Sequence, residues 1–282
     1  MASGNKDFKY RQIINLALKA IRIVVHTAII CLAVWIICWM LVCDRFTVNG
    51  PSMMPTFQTG ERIWVNKTIM GARIYRKFDF DSAGLSCFRM PGFRHLKEGD
   101  IVVFNYPQGW EKGKIGFKIN YVFCKRCLGC PGDTIRIAGG KYINNGHPVS
   151  SVPDHFQDIL SKMPDSLARQ RGVVLHAMAF KRTGWTIKDF GPLPIPAKGS
   201  VIRLDPVNRA VYKKEIEYET GMPIKEIKDS VYRFTGNWYF VGGDNMLDSR
   251  DSRYFGLVPE DFIVGVVSKN KCGGEPSGDR PE

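Results

Sequence analysis

The sequence predicts a mostly β protein: a single N-terminal transmembrane helix, then a β-rich domain interrupted by a large inserted β-rich subdomain. Three observations carry that expectation. Ile23 to Val42 is a run of twenty residues without a formal charge, broken only by His26 and Thr27. Beyond Asp44 the apolar residues come in short alternating or continuous runs bounded by Gly, Pro, Asn and Asp, the pattern of strands and turns. Residues 151–235 then change character, and Gly191-Pro192-Leu193-Pro194-Ile195-Pro196 is too rich in proline for helix.

Residues 1–22 form a basic N-terminus, with Lys6, Lys9, Arg11, Lys19 and Arg22 against the acid Asp7. Twenty helical residues at about 1.5 Å each cover the roughly 30 Å of a bilayer's hydrocarbon, so 23–43 reads as a transmembrane helix. A cleaved secretory signal fits less well, because the apolar run is longer than the usual hydrophobic region and no small-x-small site follows it. A lipoprotein signal would need a small residue before Cys43, where Val42 stands. Trp35 and Trp39 lie toward the far end, where amphipathic rings suit the interface, and the basic near flank predicts a cytoplasmic N-terminus with everything from Asp44 onward outside. No second apolar span follows, so one crossing is expected. The net charge of +13 comes with no dense basic block beyond the N-terminus and no nucleic-acid motif. Attraction to anionic lipid headgroups accounts for it, as does a solvated basic surface with no specific partner.

The roughly 240 residues that follow suffice for one large or two modest domains. We divide them into 44–150, an insertion at 151–235, a second part at 236–268, and a tail at 269–282 that is polar, contains Gly and Pro, and is expected to be disordered. Asn49-Gly50-Pro51-Ser52-Met53-Met54-Pro55-Thr56 begins six residues after the apolar run ends. Its prolines exclude a regular helix and present Ser52 on a rigid extended or turn backbone. Ser52 is a candidate nucleophile beside a membrane only if a base lies within reach; without one, the stretch is a surface turn.

Glu61 to Asn66 alternates as a half-buried strand does, Gly99 to Tyr106 reads as a turn feeding a buried strand, and 67–98 between them reads as a long irregular excursion. Tyr121 to Cys130 is a strand by composition, ended by Pro131-Gly132-Asp133. Neighbouring strand residues point to opposite faces, so either Lys125 or Arg126 must meet an interior. A lysine there is the base that Ser52 lacks, if burial lowers its pKa by ~3 units, or ~4 kcal/mol. The alternative is that Lys125 snorkels and keeps its charge in water.

Cys124-x-x-Cys127-x-x-Cys130 invites a metal reading. On a strand, however, Cys124 and Cys130 face one side and Cys127 the other, so the sulfurs diverge, and no fourth ligand has matching spacing. No metal is expected, and free cysteines packing as small apolar residues is the better reading. Cys31, Cys38 and Cys43 belong to or abut the apolar helix; Cys87 and Cys272 are too few and too far apart to argue a disulfide framework. Asp133 to Gly146 reads as two strands around Gly139-Gly140 with a further turn at Asn145-Gly146. In the insertion, Asp158 to Met163 reads as a short helix, and Val211 to Phe240 as helix or strand on either side of Gly221-Met222-Pro223. Gly243 to Pro259 is dense in short polar residues that bond backbone and one another. Such a loop is either a charged surface turn or a support for the lysine.

Together, Gly50-Pro51-Ser52-Met53-Met54-Pro55-Thr56, Lys125 to Asp133 and Gly243-Asp244-Asn245 through Asp251-Ser252-Arg253-Tyr254 resemble the boxes of the type I signal peptidases, a Ser-Lys protease family. They occur in the family's order after an N-terminal anchor. The resemblance implies a mostly β, signal-peptidase-type catalytic domain on the outer, periplasmic side of the cytoplasmic (inner) membrane, cutting signal peptides from exported preproteins without a cofactor and as a monomer. It makes Ser52 the nucleophile and Lys125 the general base, with Ser249 orienting the lysine. Arg126 with Asp244 and Asp251 with Arg253 are implied structural ion pairs. Val48 and Cys124 match positions lining small substrate pockets suited to Ala-x-Ala sites, the peptide binding as an added strand.

Two departures stand out. Some members carry a second serine two residues before the nucleophile, where it helps form the oxyanion hole. This chain has Gly50, leaving the Ser52 backbone N–H as the expected donor. Met246-Leu247 also replace a more usual polar pair. Three rivals stay open: a specialised member of the same family maturing pilin or conjugation proteins, a membrane-tethered peptide-binding protein that does not cut, and a Cys-rich metal or redox module.

Overall fold

A computed structural model describes residues 3–76, 87–107 and 113–268, with side chains from residue 14 onward. The tail expected to be disordered at 269–282 lies outside the described residues. Helix α1 runs from Ser3 to Leu41, starting well before the expected boundary because nothing in the Lys-, Leu- and Ala-containing N-terminal segment stops it. Its stretch Ile14–Leu41, 28 residues, is long and apolar enough to cross a membrane and buries none of itself against the rest of the chain. Lys67 closes its C-terminal end. The ammonium donates to the carbonyls of Trp39 and Met40 at 3.2 Å each and pairs with Asp44 at 3.2 Å, which satisfies helix-end carbonyls and sets a cation at the negative end of the helix dipole.

Cys43, which the sequence assigns to the helix, instead opens strand β1 (Cys43–Thr47). It is followed by β2 (Arg62–Asn66), β3 (Arg73–Tyr75), β4 (Cys87–Arg89), β5 (Ile101–Asn105), β6 (Val122–Gly129), β7 (Thr134–Ala138), β8 (Lys141–Asn144) and β9 (His147–Pro148). Then come α2 (Asp154–Lys162), α3 (Asp165–Gln170), β10 (Phe190–Pro194), β11 (Val201–Arg203), α4 (Pro206–Val211), α5 (Lys213–Thr220), β12 (Val231–Arg233), β13 (Trp238–Gly242), α6 (Ser252–Phe255), β14 (Val258–Pro259) and β15 (Ile263–Val267). An antiparallel seven-stranded sheet has the order β1-β2-β15-β5-β6-β13-β14. A four-stranded sheet, β10-β7-β8-β9, continues from it. Asn145 and Gly146, with φ of 49° and 83°, make the tight turn between β8 and β9 that the Asn-Gly pair predicts.

The mostly β expectation holds for the domain as a whole. Strand β5 is buried along its length because its two faces serve different cores: Val102 and Phe104 enter the main core, Ile101 and Val103 a smaller one with Val48, Met53, Ile63 and Val65. The excursion at 67–98 contains the β3–β4 pair, in which Ile74 faces Phe88.

Within the insertion the β-rich reading needs correction. Residues 151–235 carry α2, α3, α4 and α5 as well as β10, β11 and β12, so the segment is mixed. Lys213–Thr220 is rich in the helix formers Lys and Glu, buries Ile216, and ends at Gly221 in the left-handed region that glycine accepts. In α2, Gln157 and Leu160 are buried about one turn apart. Nor does the segment have a separate core, since Leu160, Phe180, Phe190 and Ile216 join the core beneath β6 and β13.

Candidate active site

Ser52 sits in one turn of 3-10 helix, Pro51–Met53, rather than in an extended segment. Pro51 fits the first position, where no N–H is needed. Gly50 enters the turn at φ 106°, ψ 167°, a conformation that costs any other residue strain. That backbone accounts for glycine at this position, where a serine would be strained although open space surrounds it. Met53, fully buried in the smaller core, pins the turn, and the Asn245 N–H donates to the Ser52 carbonyl at 3.1 Å.

Strand β6 delivers the amine. Lys125 and Arg126 leave the strand on opposite sides, and both are buried, 4% and 6% exposed; the sequence argument required only one. Lys125 Nζ is 2.5 Å from Ser52 Oγ and 5.4 Å from the centre of the Phe123 ring. Burial lowers its pKa, the Asp251 and Cys124 charges oppose that, and Arg253 adds to it. The net direction is toward a neutral amine, the form that can accept a proton.

The polar loop after β13 frames the pair. Arg126 grips Asp244 bidentately, Nε to Oδ1 at 2.7 Å and an Nη to Oδ2 at 2.6 Å. Thr56 donates to the same carboxylate and receives from Arg126, tying the turn that holds Ser52 to β6. Arg253 holds Asp251 in the same way at 2.8 and 2.7 Å, with both side chains fully buried. Burial alone would raise the Asp251 carboxyl, but Arg253 and the Gly243 N–H outweigh it and hold it below its ordinary range.

Ser249 Oγ is buried beside Asp251, whose carboxyl it helps hold below its ordinary range, and no group among the described residues lies in full hydrogen-bond geometry with it. It packs on Gly243, where an added Cβ would come within 2.2 Å of Ser249 Oγ and 2.6 Å of the Ser52 carbonyl oxygen. Gly243, Thr56 and Asn245 were all within the motifs, but spacing alone carries no sign of their close packing and bonds to the Ser52 turn.

A groove of about 470 Å³ opens over the pair, lined by Val48, Ser52, Cys124 and Lys125 and, toward its rim, by Tyr121, Asp248 and Arg250. Val48 is buried and Cys124 half-buried. Burial pushes the Cys124 thiol up to about 12, so at neutral pH it stays protonated and does not compete with Ser52 as a nucleophile. The expected divergence of the cysteines is corrected at one point. Cys127 and Cys130 have their sulfurs 3.8 Å apart, because β6 ends at Gly129 and the strand period no longer applies to Cys130.

A buried amine against a serine hydroxyl is the arrangement of a serine hydrolase that uses lysine as its base. The family described as "Signal peptidase, peptidase S26" matches residues 20–269. The chain belongs to this family of serine endopeptidases. "Signal peptidase I T" of Bacillus subtilis (strain 168) is 31% identical over 224 residues, covering 79% of this chain and 70% of that protein. "Signal peptidase I" of Buchnera aphidicola subsp. Schizaphis graminum (strain Sg) is 26% identical over 243 residues, covering 80% and 67%. A crystal structure of a signal peptidase I from Enterococcus faecalis V583 is 21% identical and covers 62% of this chain and 97% of that one, at a TM-score of 0.31.

Proposed function

We propose that this peptidase cleaves N-terminal signal peptides from exported preproteins through a Ser52 acyl-enzyme, with Lys125 as general base. The observation that carries the reading is the 2.5 Å contact between Ser52 Oγ and a lysine amine whose burial favours the neutral form. Neutral Lys125 takes the hydroxyl proton as Ser52 attacks the scissile carbonyl. The resulting ammonium protonates the leaving amine, and water then hydrolyses the ester with the lysine again as base. The Ser52 N–H is the second in its helical turn and so lacks a partner within it, which suits it to donate to the developing oxyanion. No cofactor enters the cycle. Ser249 acts through Lys125, and the Arg126–Asp244 and Asp251–Arg253 pairs hold the loop around it.

The substrate lies in the groove as an added strand, with small residues of an Ala-x-Ala site against Val48 and Cys124. The helix Ile14–Leu41 anchors the enzyme in the inner membrane, with the N-terminus in the cytoplasm and the groove on the periplasmic side near the lipid; the enzyme works as a monomer. The experiment is mass spectrometry of a preprotein with an Ala-x-Ala site after incubation with the detergent-solubilised enzyme, beside Ser52→Ala and Lys125→Ala. Cleavage after the last alanine by the wild type, absent in both variants, supports the reaction and both assignments. Binding without cleavage by the wild type would point instead to a narrow substrate set or to a peptide-binding role.

A further inference from the structure

The peptidase chemistry leaves one pair of nucleophilic side chains unused. Cys127 is fully buried, Cys130 is half-buried, both are free thiols, and their sulfurs touch at 3.8 Å. The backbone holds each of them in place. Cys127 accepts from the Gly99 N–H and donates to the Asp100 carbonyl, each at 2.8 Å, while the Cys130 N–H donates to Asp133 Oδ2 at 2.8 Å and its carbonyl accepts from the Asp133 N–H at 3.0 Å. Two sulfurs already in contact across the register irregularity at the end of β6 have to close by about 2 Å to reach the bonding distance of about 2 Å. Cys124, by contrast, packs with the smaller core rather than with Cys127.

We propose that Cys127 and Cys130 form a reversible disulfide, made by exchange with an external disulfide. Cys130, the partner with surface exposure, loses its proton to solvent, attacks the external disulfide and releases one half as a thiolate. Cys127 then loses its proton and attacks the Cys130 sulfur, which closes the Cys127–Cys130 bond and expels the second half. Two thiols are oxidised and give up two protons; the external disulfide is reduced to two thiols. The Cys130 contact and burial hold the Cys127 thiol well above its ordinary range, which makes the closing step the slower one. The bond braces β6 one residue past Arg126, at the irregularity where Gly129 pairs with Phe240 but Cys127 with Val241.

The test uses the full chain in detergent and reads no activity, so it stands apart from the peptidase reading. The protein is incubated with oxidised glutathione, alkylated in denaturant and digested with trypsin. Cleavage after Arg126 and Arg136 isolates Cys127 and Cys130 on one peptide with no other cysteine. The expected peptide is unalkylated and two hydrogen masses light, and dithiothreitol before alkylation converts it to the doubly alkylated form. In Cys127→Ala the second step is blocked, so Cys130 accumulates as its glutathione adduct. The oxidised wild type is expected to melt a few degrees above the reduced one, with Cys127→Ala/Cys130→Ala indifferent to either treatment. A doubly alkylated wild-type peptide after oxidised glutathione, a wild type stalled as the adduct, or identical melting of the two forms would overturn the proposal.

Discussion

The seam between β6 and the loop after β13 buries charge in two ways. Arg126 and Arg253 each meet a carboxylate through two parallel hydrogen bonds; Lys125, equally buried, meets the Ser52 hydroxyl and no carboxylate within ion-pair distance among the described residues. Burial penalises an ion in both places, and the difference lies in what relieves it. A bidentate partner lets the guanidinium keep its charge, whereas the lone amine is relieved by giving up its proton. Within the Lys125 environment Arg253 pushes the same way as burial, but its partner Asp251 pushes the other way and more strongly, so burial rather than the structural pair keeps the amine neutral.

Breaking one side of this comparison should cost activity, and breaking the other should cost stability. Lys125→Met removes the proton acceptor and keeps the packing, so turnover falls by roughly 10⁴-fold or more, while the melting temperature is no lower than wild type because a poorly compensated amine has left the interior. Ser52→Ala gives a similar kinetic loss. Calorimetry beside a cleavage assay checks both at once, and a Lys125→Met variant that unfolds would mean the amine is charged and structurally required. Asp251→Ala does the reverse. It strands Arg253, fully buried, and should lower stability by ~3–5 kcal/mol in denaturant unfolding. Asp244→Ala should act in the same direction on Arg126, by less, because Arg126 also donates to the Gly99 carbonyl and to Thr56.

The contrast also separates what could be read in the sequence from what could not. Ser52, Lys125, Arg126, Asp244, Asp251 and Arg253 lie in short strings whose residue types and order are visible without coordinates, and the structure brings all of them to one seam. The strands were legible where period and burial agree, as in β2, β5 and β6. The helices of the insertion were harder to read, since α4 and α5 are short, propensity is a weak guide at that length, and their buried faces are set by residues distant in sequence, such as Phe255 and Leu257, which Lys214 and Glu215 contact through hydrogen bonds. The meeting of Cys127 with Cys130 was hidden for a related reason: a strand period was carried one residue beyond the strand. Gly50 offered a departure without a cause until its positive φ supplied one.

The pH profile sharpens the comparison further. Only the neutral amine works as a base, so kcat/KM for a small-residue peptide should rise about tenfold per pH unit below the lysine's depressed pKa and level off above it. A flat profile from pH 6 to 10 would count against a lysine base. The same group acts on stability. Its folded pKa is lowered from an ordinary 10.5, so between the two values the unfolded chain binds more protons and stability rises with pH. Lys125→Met removes that slope. For Asp251, whose folded pKa is lowered from 3.8, the stabilisation is present above pH 3.8 and is lost as pH falls through the folded value.

Ser249→Ala is the mildest break and the most discriminating. The hydroxyl is buried beside Asp251 and helps hold that carboxyl below its ordinary range, so its removal should cost no more than about 1 kcal/mol of stability. If Ser249 served only to fill space, kinetics would be unmoved. If it takes a hydrogen bond from the lysine as the ammonium forms during attack, kcat should drop roughly tenfold, the worth of one such bond, about 1.4 kcal/mol. KM should stay near its starting value, because substrate contacts are untouched. The rise of the profile should also move to lower pH in the variant, because the ammonium has then lost an acceptor that favours it. An unchanged kcat with an unchanged profile would confine Ser249 to packing against Gly243 and leave Lys125 oriented by its strand alone.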